Sequence, residues 1–147
     1  MTARLDELYD ETVLDHGRRP RNRRVIEAGR SAEQRNPICG DRITVHVRLE
    51  GDVIRDVSFE GSACAISIAS ASLMTEVVMG QTLAAAGALA ERFRRMIVAP
   101  PGAPVEEMGT LAALAGLRQF PIRVKCASLA WQALGAAVNG SQRSRVE

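Results

Sequence analysis

Three cysteines and one aspartate are the residues of this sequence that could together do metal or thiol chemistry. Cys39 and Asp41 stand two residues apart on a predicted turn just ahead of a clear strand. Cys64 and Cys126 each lie at the head of a segment with helical periodicity. Three thiolates and a carboxylate form a four-ligand set of the kind that zinc binds. A fold that brings Cys39, Asp41, Cys64 and Cys126 together would therefore create a metal site.

The predicted positions of two cysteines favour thiolates over thiols. Cys64 falls where a strand ends and a helix begins, so backbone N–H groups and the helix dipole stabilise a negative sulfur. Cys126 lies in the first turns of the last helix beside Lys125 and near Arg123, and neighbouring cations lower a thiol pKa. Spacing alone leaves two interpretations open, a shared metal site and separate buried cysteines that pack as small apolar residues.

Length and composition indicate one globular domain. The chain has 147 residues, of which 46% are hydrophobic, enough to bury a core without disulfides. We expect a single domain over 1–140 and a disordered polar tail over 141–147. Three cysteines cannot all pair within one chain, so metal ligation or thiol chemistry is favoured over structural disulfides.

Charge and hydropathy exclude two classes of partner. The net charge is +2 and aromatic residues make up 3% of the sequence, a composition that argues against a nucleic-acid binder. The sequence has no apolar run near the roughly 20 residues needed to span a bilayer, and its first residues lack the apolar core of a signal peptide. We therefore predict no membrane association and a cytoplasmic location.

The elements that must position the four residues are a small sheet and several helices. Residues 43–49 alternate apolar and polar side chains, which is typical of a strand with one buried face, and residues 53–60 follow after a turn as a returning strand. A weaker strand signal covers 26–35. The sequence predicts helices over 2–16, 65–79, 82–97, 110–117 and 121–138. This order predicts an α+β fold in which a small antiparallel sheet of about three strands packs against several helices.

The helix predicted over 65–79 carries apolar or small residues on nearly every side, as a helix at the centre of a small domain requires. Its serines at positions 67, 70 and 72 have no evident histidine base. We interpret them as small residues that suit close helix packing.

Both histidines and the arginine-rich loop have ordinary structural explanations. His16 is predicted in the last turn of the first helix, where the dipole favours an imidazolium. His46 is predicted on the exposed face of its strand. The loop over 18–24 holds five arginines, which indicates either a solvated connector or a surface that docks an acidic partner protein.

Three motifs together resemble the IscU/NifU-like iron–sulfur cluster assembly proteins. They are Asn36-Pro37-Ile38-Cys39-Gly40-Asp41, Gly61-Ser62-Ala63-Cys64-Ala65-Ile66-Ser67 and Phe120-Pro121-Ile122-Arg123-Val124-Lys125-Cys126-Ala127. The resemblance covers about residues 5–138. It implies the α+β fold of that family and the convergence of Cys39, Asp41, Cys64 and Cys126 at one exposed corner.

Two features resemble the SufU branch of this family. Lys125 stands where the IscU branch has a histidine, and the stretch between Cys64 and Cys126 is longer because it includes a proline-rich loop over 100–104. The resemblance implies Zn²⁺ bound by three cysteines and an aspartate, and sulfur accepted as a persulfide from a SufS-like cysteine desulfurase. The chaperone-binding Leu-Pro-Pro-Val-Lys element of the IscU branch is missing from the sequence.

Three functions follow from this site. In the first, the protein is a zinc-dependent sulfurtransferase whose Cys126 leaves the metal and attacks the persulfide, while Cys39, Asp41 and Cys64 keep the ion bound. In the second, the same side chains hold iron or a [2Fe–2S] cluster during assembly and transfer to other iron–sulfur proteins. In the third, a structural zinc module serves as an interaction domain.

Overall fold

A computed structural model describes residues 11–27 and 29–140, together with the backbone of 143–145. Its elements in chain order are α1 Glu11–Arg18, β1 Arg30–Asn36, β2 Asp41–Glu50, β3 Val53–Ser62, α2 Ala65–Val78, α3 Leu83–Val98, a 3-10 helix Gly109–Gln119, α4 Pro121–Val138 and β4 Arg143–Arg145. The first part of the helix predicted over 2–16 lies outside the described residues. So does most of the predicted disordered tail.

The sheet has the strand order β3-β2-β1-β4. β2 pairs antiparallel with both β1 and β3, and the short β4 adds to β1 in parallel. The predicted α+β fold with about three antiparallel strands is confirmed. The weak strand signal over 26–35 corresponds to β1, which begins later than predicted and lies inside the sheet.

One face of the sheet forms the core with the helices. Ile43, Val45 and Val47 alternate along β2 and are fully buried, as is Phe59 on β3. Since successive strand side chains point to opposite faces, this spacing places all three β2 residues on one side. α4 packs across β1 and β2, and α2 packs against α4. The two helices that carry or follow Cys64 and Cys126 are therefore neighbours.

The other face of β2 is less exposed than the alternation predicts. His46 is only 8% exposed, and its Nε2 lies 2.8 Å from the Glu60 carboxylate. β2 is an inner strand, so Ser31 on β1 and Ser58 on β3 flank His46 from both sides. The prediction that His46 is a surface histidine is therefore wrong.

Four arginines of the loop over 18–24 bind groups within the protein, Arg19 through an ion pair with Asp15 at 3.7 Å and the other three through hydrogen bonds. Arg21 binds the Asp15 carboxylate at 2.6 Å, Arg24 binds Asp56 at 2.8 Å, and Arg23 donates to the carbonyl of Gly61 at 2.9 Å. These contacts favour the structural connector over the acidic docking surface.

No helix in the described part of the chain combines the length and apolarity that crossing a bilayer would take.

Candidate metal centre

The β1–β2 hairpin presents Cys39 and Asp41. Asn36 and Asp41 are the last paired residues of the two strands, so Cys39 lies near the tip of the connection and is exposed. The Gly40 backbone has φ of 77°, a left-handed conformation that favours glycine, and its N–H donates to the carbonyl of Asn36 at 2.8 Å. This turn separates an exposed thiol from a carboxylate that is only 5% exposed.

Cys64 is the residue immediately before α2, as the sequence predicts. Its backbone N–H donates to Asp41 Oδ1 at 3.0 Å, which ties the start of α2 to the start of β2. Gly61 lets the end of β3 lie close to β2 just before Cys64, because a Cβ at that position would lie 2.1 Å from the Arg42 carbonyl oxygen. Cys64 is half-buried beside the hairpin.

Cys126 on α4 lies next to the β1–β2 hairpin that carries Cys39 and Asp41. Its side chain is fully buried, and its Sγ lies 4.0 Å from Cys39 Sγ. One ligand atom from each of Cys39, Asp41 and Cys126 lies within 4.8 Å of the other two. Cys64 falls outside that group of three but borders it, because its backbone N–H donates to Asp41 and its Sγ lies 3.6 Å from the Ser67 hydroxyl that also binds Asp41.

Ser67, which the sequence predicts only as a small residue for helix packing, belongs to this site. Its hydroxyl donates to Asp41 Oδ2 at 2.6 Å, and its Oγ lies 3.6 Å from Cys64 Sγ. The same oxygen is 3.0 Å from the Cys126 carbonyl oxygen. The spacing of three residues between Cys64 and Ser67, which puts both on one side of the first helical turn, is the signal that could have found it.

The hydrogen bonds at Asp41 favour its charged form. Burial alone would raise the pKa of this carboxyl. Hydrogen bonds from Ser67, Cys39 and the Cys64 backbone outweigh burial and lower its pKa below the ordinary value. Asp41 is therefore a carboxylate ready to accept a metal ion.

The two inner thiols differ in the form they favour. The pKa of Cys64 is lowered to about 6, mainly because the Cys126 thiol donates a hydrogen bond to it, with further help from Ser67. The pKa of Cys126 is raised by that same hydrogen bond, by burial and by the nearby negative groups. The prediction that Lys125 and Arg123 lower the pKa of Cys126 is thus wrong, since its pKa is raised.

These donors fit a zinc ion. A tetrahedral site with Zn–S bonds of about 2.3 Å has sulfur–sulfur edges of about 3.8 Å. The Cys39–Cys126 sulfur separation of 4.0 Å is close to such an edge. The three thiolate sulfurs favour zinc over magnesium or calcium, which prefer oxygen ligands, and a carboxylate oxygen can complete a tetrahedral zinc site.

Family comparison agrees with this geometry. The profile of the NifU-like N-terminal domain matches residues 8–145, almost the whole chain. The chain belongs to the NifU-like N-terminal domain family. The four predicted residues come from three separate parts of the sequence, and the fold brings one ligand atom each of Cys39, Asp41 and Cys126 within 4.8 Å of one another.

Two curated relatives in this family cover nearly the full chain. The zinc-dependent sulfurtransferase SufU of Bacillus subtilis strain 168 is 39% identical over 136 residues, spanning 92% of each protein. The iron–sulfur cluster assembly scaffold protein IscU of Streptococcus pyogenes serotype M1 is 37% identical over 143 residues, or 97% of this chain and 90% of the relative.

The NifU-like fold is also found among solved structures. A protein of Fervidobacterium islandicum AW-1, described as a candidate iron–sulfur cluster assembly scaffold of the SUF system, superposes with a TM-score of 0.82 at 32% identity. The match covers 90% of this chain and 98% of the other. The predicted IscU/NifU-like fold is confirmed by this superposition.

Proposed function

We propose that this protein works in iron–sulfur cluster assembly as a zinc-dependent sulfurtransferase that accepts persulfide sulfur from a cysteine desulfurase. The observation that carries the proposal is an exposed thiol, Cys39, in direct reach of a buried thiol and carboxylate that fit a zinc site. Similarity to the SufU sulfurtransferase supports the same function.

The proposed zinc ligands are Cys39, Asp41, Cys64 and Cys126. Bound zinc would keep the cysteines deprotonated and connect the hairpin to α2 and α4. Asp41 and Cys64 are already tied to each other through the Cys64 N–H. Cys39, by contrast, lies on a turn at the surface.

Exposure favours Cys39 over Cys126 as the thiol that accepts sulfur first. The sequence predicts this role for Cys126, but Cys126 is 0% exposed. A sulfur atom carried on a partner protein must approach from outside. Cys39 and its neighbour Ile38, which is 70% exposed, form the accessible tip.

The transfer step is a thiol–disulfide exchange. The Cys39 thiolate attacks the outer sulfur of the desulfurase persulfide, forming a new S–S bond. The original S–S bond of the desulfurase breaks, and its cysteine leaves as a thiolate. Cys39 then carries the persulfide, and no external oxidant or reductant is consumed.

The test is to map the persulfide after incubating zinc-loaded protein with L-cysteine and the cysteine desulfurase of its own organism. Mass spectrometry should find one added sulfur on Cys39, and Cys39→Ser should abolish it. Cys126→Ser is the matched comparison. Sulfur acceptance by Cys39→Ser, with none by Cys126→Ser, would restore the assignment to Cys126. A wild-type protein that takes up no sulfur would contradict the proposed function.

A cluster scaffold is the second candidate, and similarity to the IscU scaffold of S. pyogenes supports it. Three thiolates and one carboxylate make a looser cluster site than four thiolates, which suits cluster transfer. Metal content of the freshly isolated protein separates the two functions. A colourless protein with about one zinc per chain supports the sulfurtransferase, whereas iron, sulfide and visible absorbance support the scaffold.

A further inference from the structure

The start of α2 occupies both oxygens of the Asp41 carboxylate. Oδ1 accepts the Cys64 backbone N–H at 3.0 Å, and Oδ2 accepts the Ser67 hydroxyl at 2.6 Å. Ser67 is itself fully buried, so water cannot compete for its hydroxyl. These two hydrogen bonds therefore fix the rotation of the carboxylate.

We propose that Ser67 is a positioning residue that orients the Asp41 carboxylate for metal binding. This inference depends on the proposed function, because it assumes that Asp41 is a zinc ligand. A carboxylate oxygen has more than one lone pair, so Oδ2 can accept the Ser67 hydrogen bond and still bind a cation. Removing a group that holds a ligand in this way typically lowers metal affinity by about 10- to 100-fold.

Ser67 also couples the carboxylate to two of the cysteines. Its Oγ lies 3.6 Å from Cys64 Sγ and 3.0 Å from the backbone carbonyl of Cys126. A single hydroxyl thus contacts residues that come from β2, the start of α2 and the second turn of α4. Loss of this hydroxyl would free the carboxylate to rotate, and ordering it again on zinc binding would cost affinity.

Ser70 provides a matched control on the same helix. It is also fully buried, and its hydroxyl donates to the Ala127 carbonyl at 2.7 Å while accepting from the Trp131 indole N–H at 3.2 Å. Ser70 therefore links α2 to α4 without contacting Asp41. A role that is merely structural predicts similar effects for the two serines.

The experiment measures zinc affinity by chelator competition for the wild type, Ser67→Ala and Ser70→Ala. We expect Ser67→Ala to weaken zinc binding by roughly 10- to 100-fold, and Ser70→Ala to change it by less than about 3-fold. Cobalt(II) substituted for zinc gives a spectroscopic readout: the ligand-field bands should shift in Ser67→Ala and not in Ser70→Ala. Equal affinities and unchanged bands in Ser67→Ala would overturn the inference.

The Ser67→Ala substitution could also lower the stability of the whole fold. A double-mutant cycle with Asp41→Ala separates that general effect from an effect exerted through the Asp41 carboxylate. If Ser67 acts through the carboxylate, Ser67→Ala should have no further effect on zinc affinity once Asp41 is removed. The same loss in both backgrounds would contradict a positioning role.

If the wild type itself binds no zinc, the proposed function and this inference both fail. If the wild type binds zinc and the two serine variants behave alike, only this inference fails.

Discussion

Two clusters of polar side chains lie along α2. Each is centred on a buried serine, but the two serines have different roles. At the start of the helix, Ser67 contacts Asp41 and Cys64 beside an exposed thiol. Further along, Ser72 contacts His16, which lies only 5% exposed on α1. Both serines are fully buried. What differs is whether the groups around the serine include a reactive side chain that reaches the surface.

The second cluster, which we call the His16 cluster, consists of His16, Arg21, Ser72 and Glu76. Ser72 Oγ accepts the Arg21 backbone N–H at 2.8 Å and lies 2.6 Å from His16 Nδ1. The other ring nitrogen of His16, Nε2, lies 3.4 Å from the Glu76 carboxylate. The cluster fastens α1 and the arginine-rich loop to α2.

Burial changes the expected charge of His16. The pKa of His16 is lowered, first by burial and then by the Arg21 charge, although Glu76 and Asp15 act in the opposite direction. The prediction that the helix dipole favours an imidazolium here is therefore wrong. The dipole acts at an exposed helix end, but this ring is packed against α2.

Zinc removal should produce the largest difference between variants of the two clusters, measured as the free energy of unfolding. At free zinc about 1,000-fold above its dissociation constant, the wild type should gain about 4 kcal/mol in the free energy of unfolding. Asp41→Ala should lose most of this gain, whereas His16→Gln should keep it. Urea unfolding with zinc and with a chelator measures both. An equal loss of the zinc increment in the two variants would contradict the distinction between the clusters.

Ser72→Ala should destabilise the protein whether or not zinc is present. Removing the hydroxyl leaves His16 Nδ1 and the Arg21 N–H without their partner, at a cost of about 2 kcal/mol. Urea unfolding should give the same decrease in chelator and in zinc. A variant that folds normally but binds zinc poorly would show that the His16 cluster supports the metal site after all.

Gly40→Ala should produce a smaller effect that is confined to the metal side. Alanine fits the space but is strained at φ of 77°, by about 1–2 kcal/mol. Gly40→Asn is the matched variant, because asparagine tolerates this conformation better. Unfolding curves and zinc titrations should rank wild type, Gly40→Asn and Gly40→Ala in that order. Equal values for the two variants would remove the conformational explanation.

The contribution of His16 to the pH dependence of folding stability should be the smallest of these effects. An unfolded chain binds a proton at His16 as pH falls below about 6.5, whereas the folded protein resists it because the pKa is lowered. The stabilising contribution is thus complete above that pH and declines below it, by no more than about 1.4 kcal/mol per pH unit. Comparing wild type with His16→Gln in chelator from pH 8 to pH 5 measures the slope. A wild type that gains stability relative to His16→Gln on acidification would reverse the assigned sign.

The sequence predicted the parts of the site that depend on local patterns. The turn at Cys39 and Asp41 and the helix start at Cys64 were predicted, because glycine, strand alternation and helix periodicity act over a few residues. The shared location of the three cysteines rested on family resemblance. Cys126 approaches Cys39 only through the packing of α4 on the sheet.

Other features depend on contacts that no local pattern reveals. Ser67, Ser70 and Ser72 look alike in an apolar helix, yet they bond to a carboxylate, a backbone carbonyl and an imidazole. His46 is buried because β2 has neighbours on both sides, which depends on strand order. The low exposure of Cys126 follows from the same tertiary packing and changed the choice of accepting thiol.

Zinc K-edge X-ray absorption on the zinc-loaded wild type tests the central claim most directly. If Cys39, Asp41, Cys64 and Cys126 hold one ion, the spectrum should fit three sulfur ligands at about 2.3 Å and one oxygen ligand at about 2.0–2.2 Å. A shell of nitrogen and oxygen alone, or one with fewer than three sulfurs, would show that these residues do not form a common metal site.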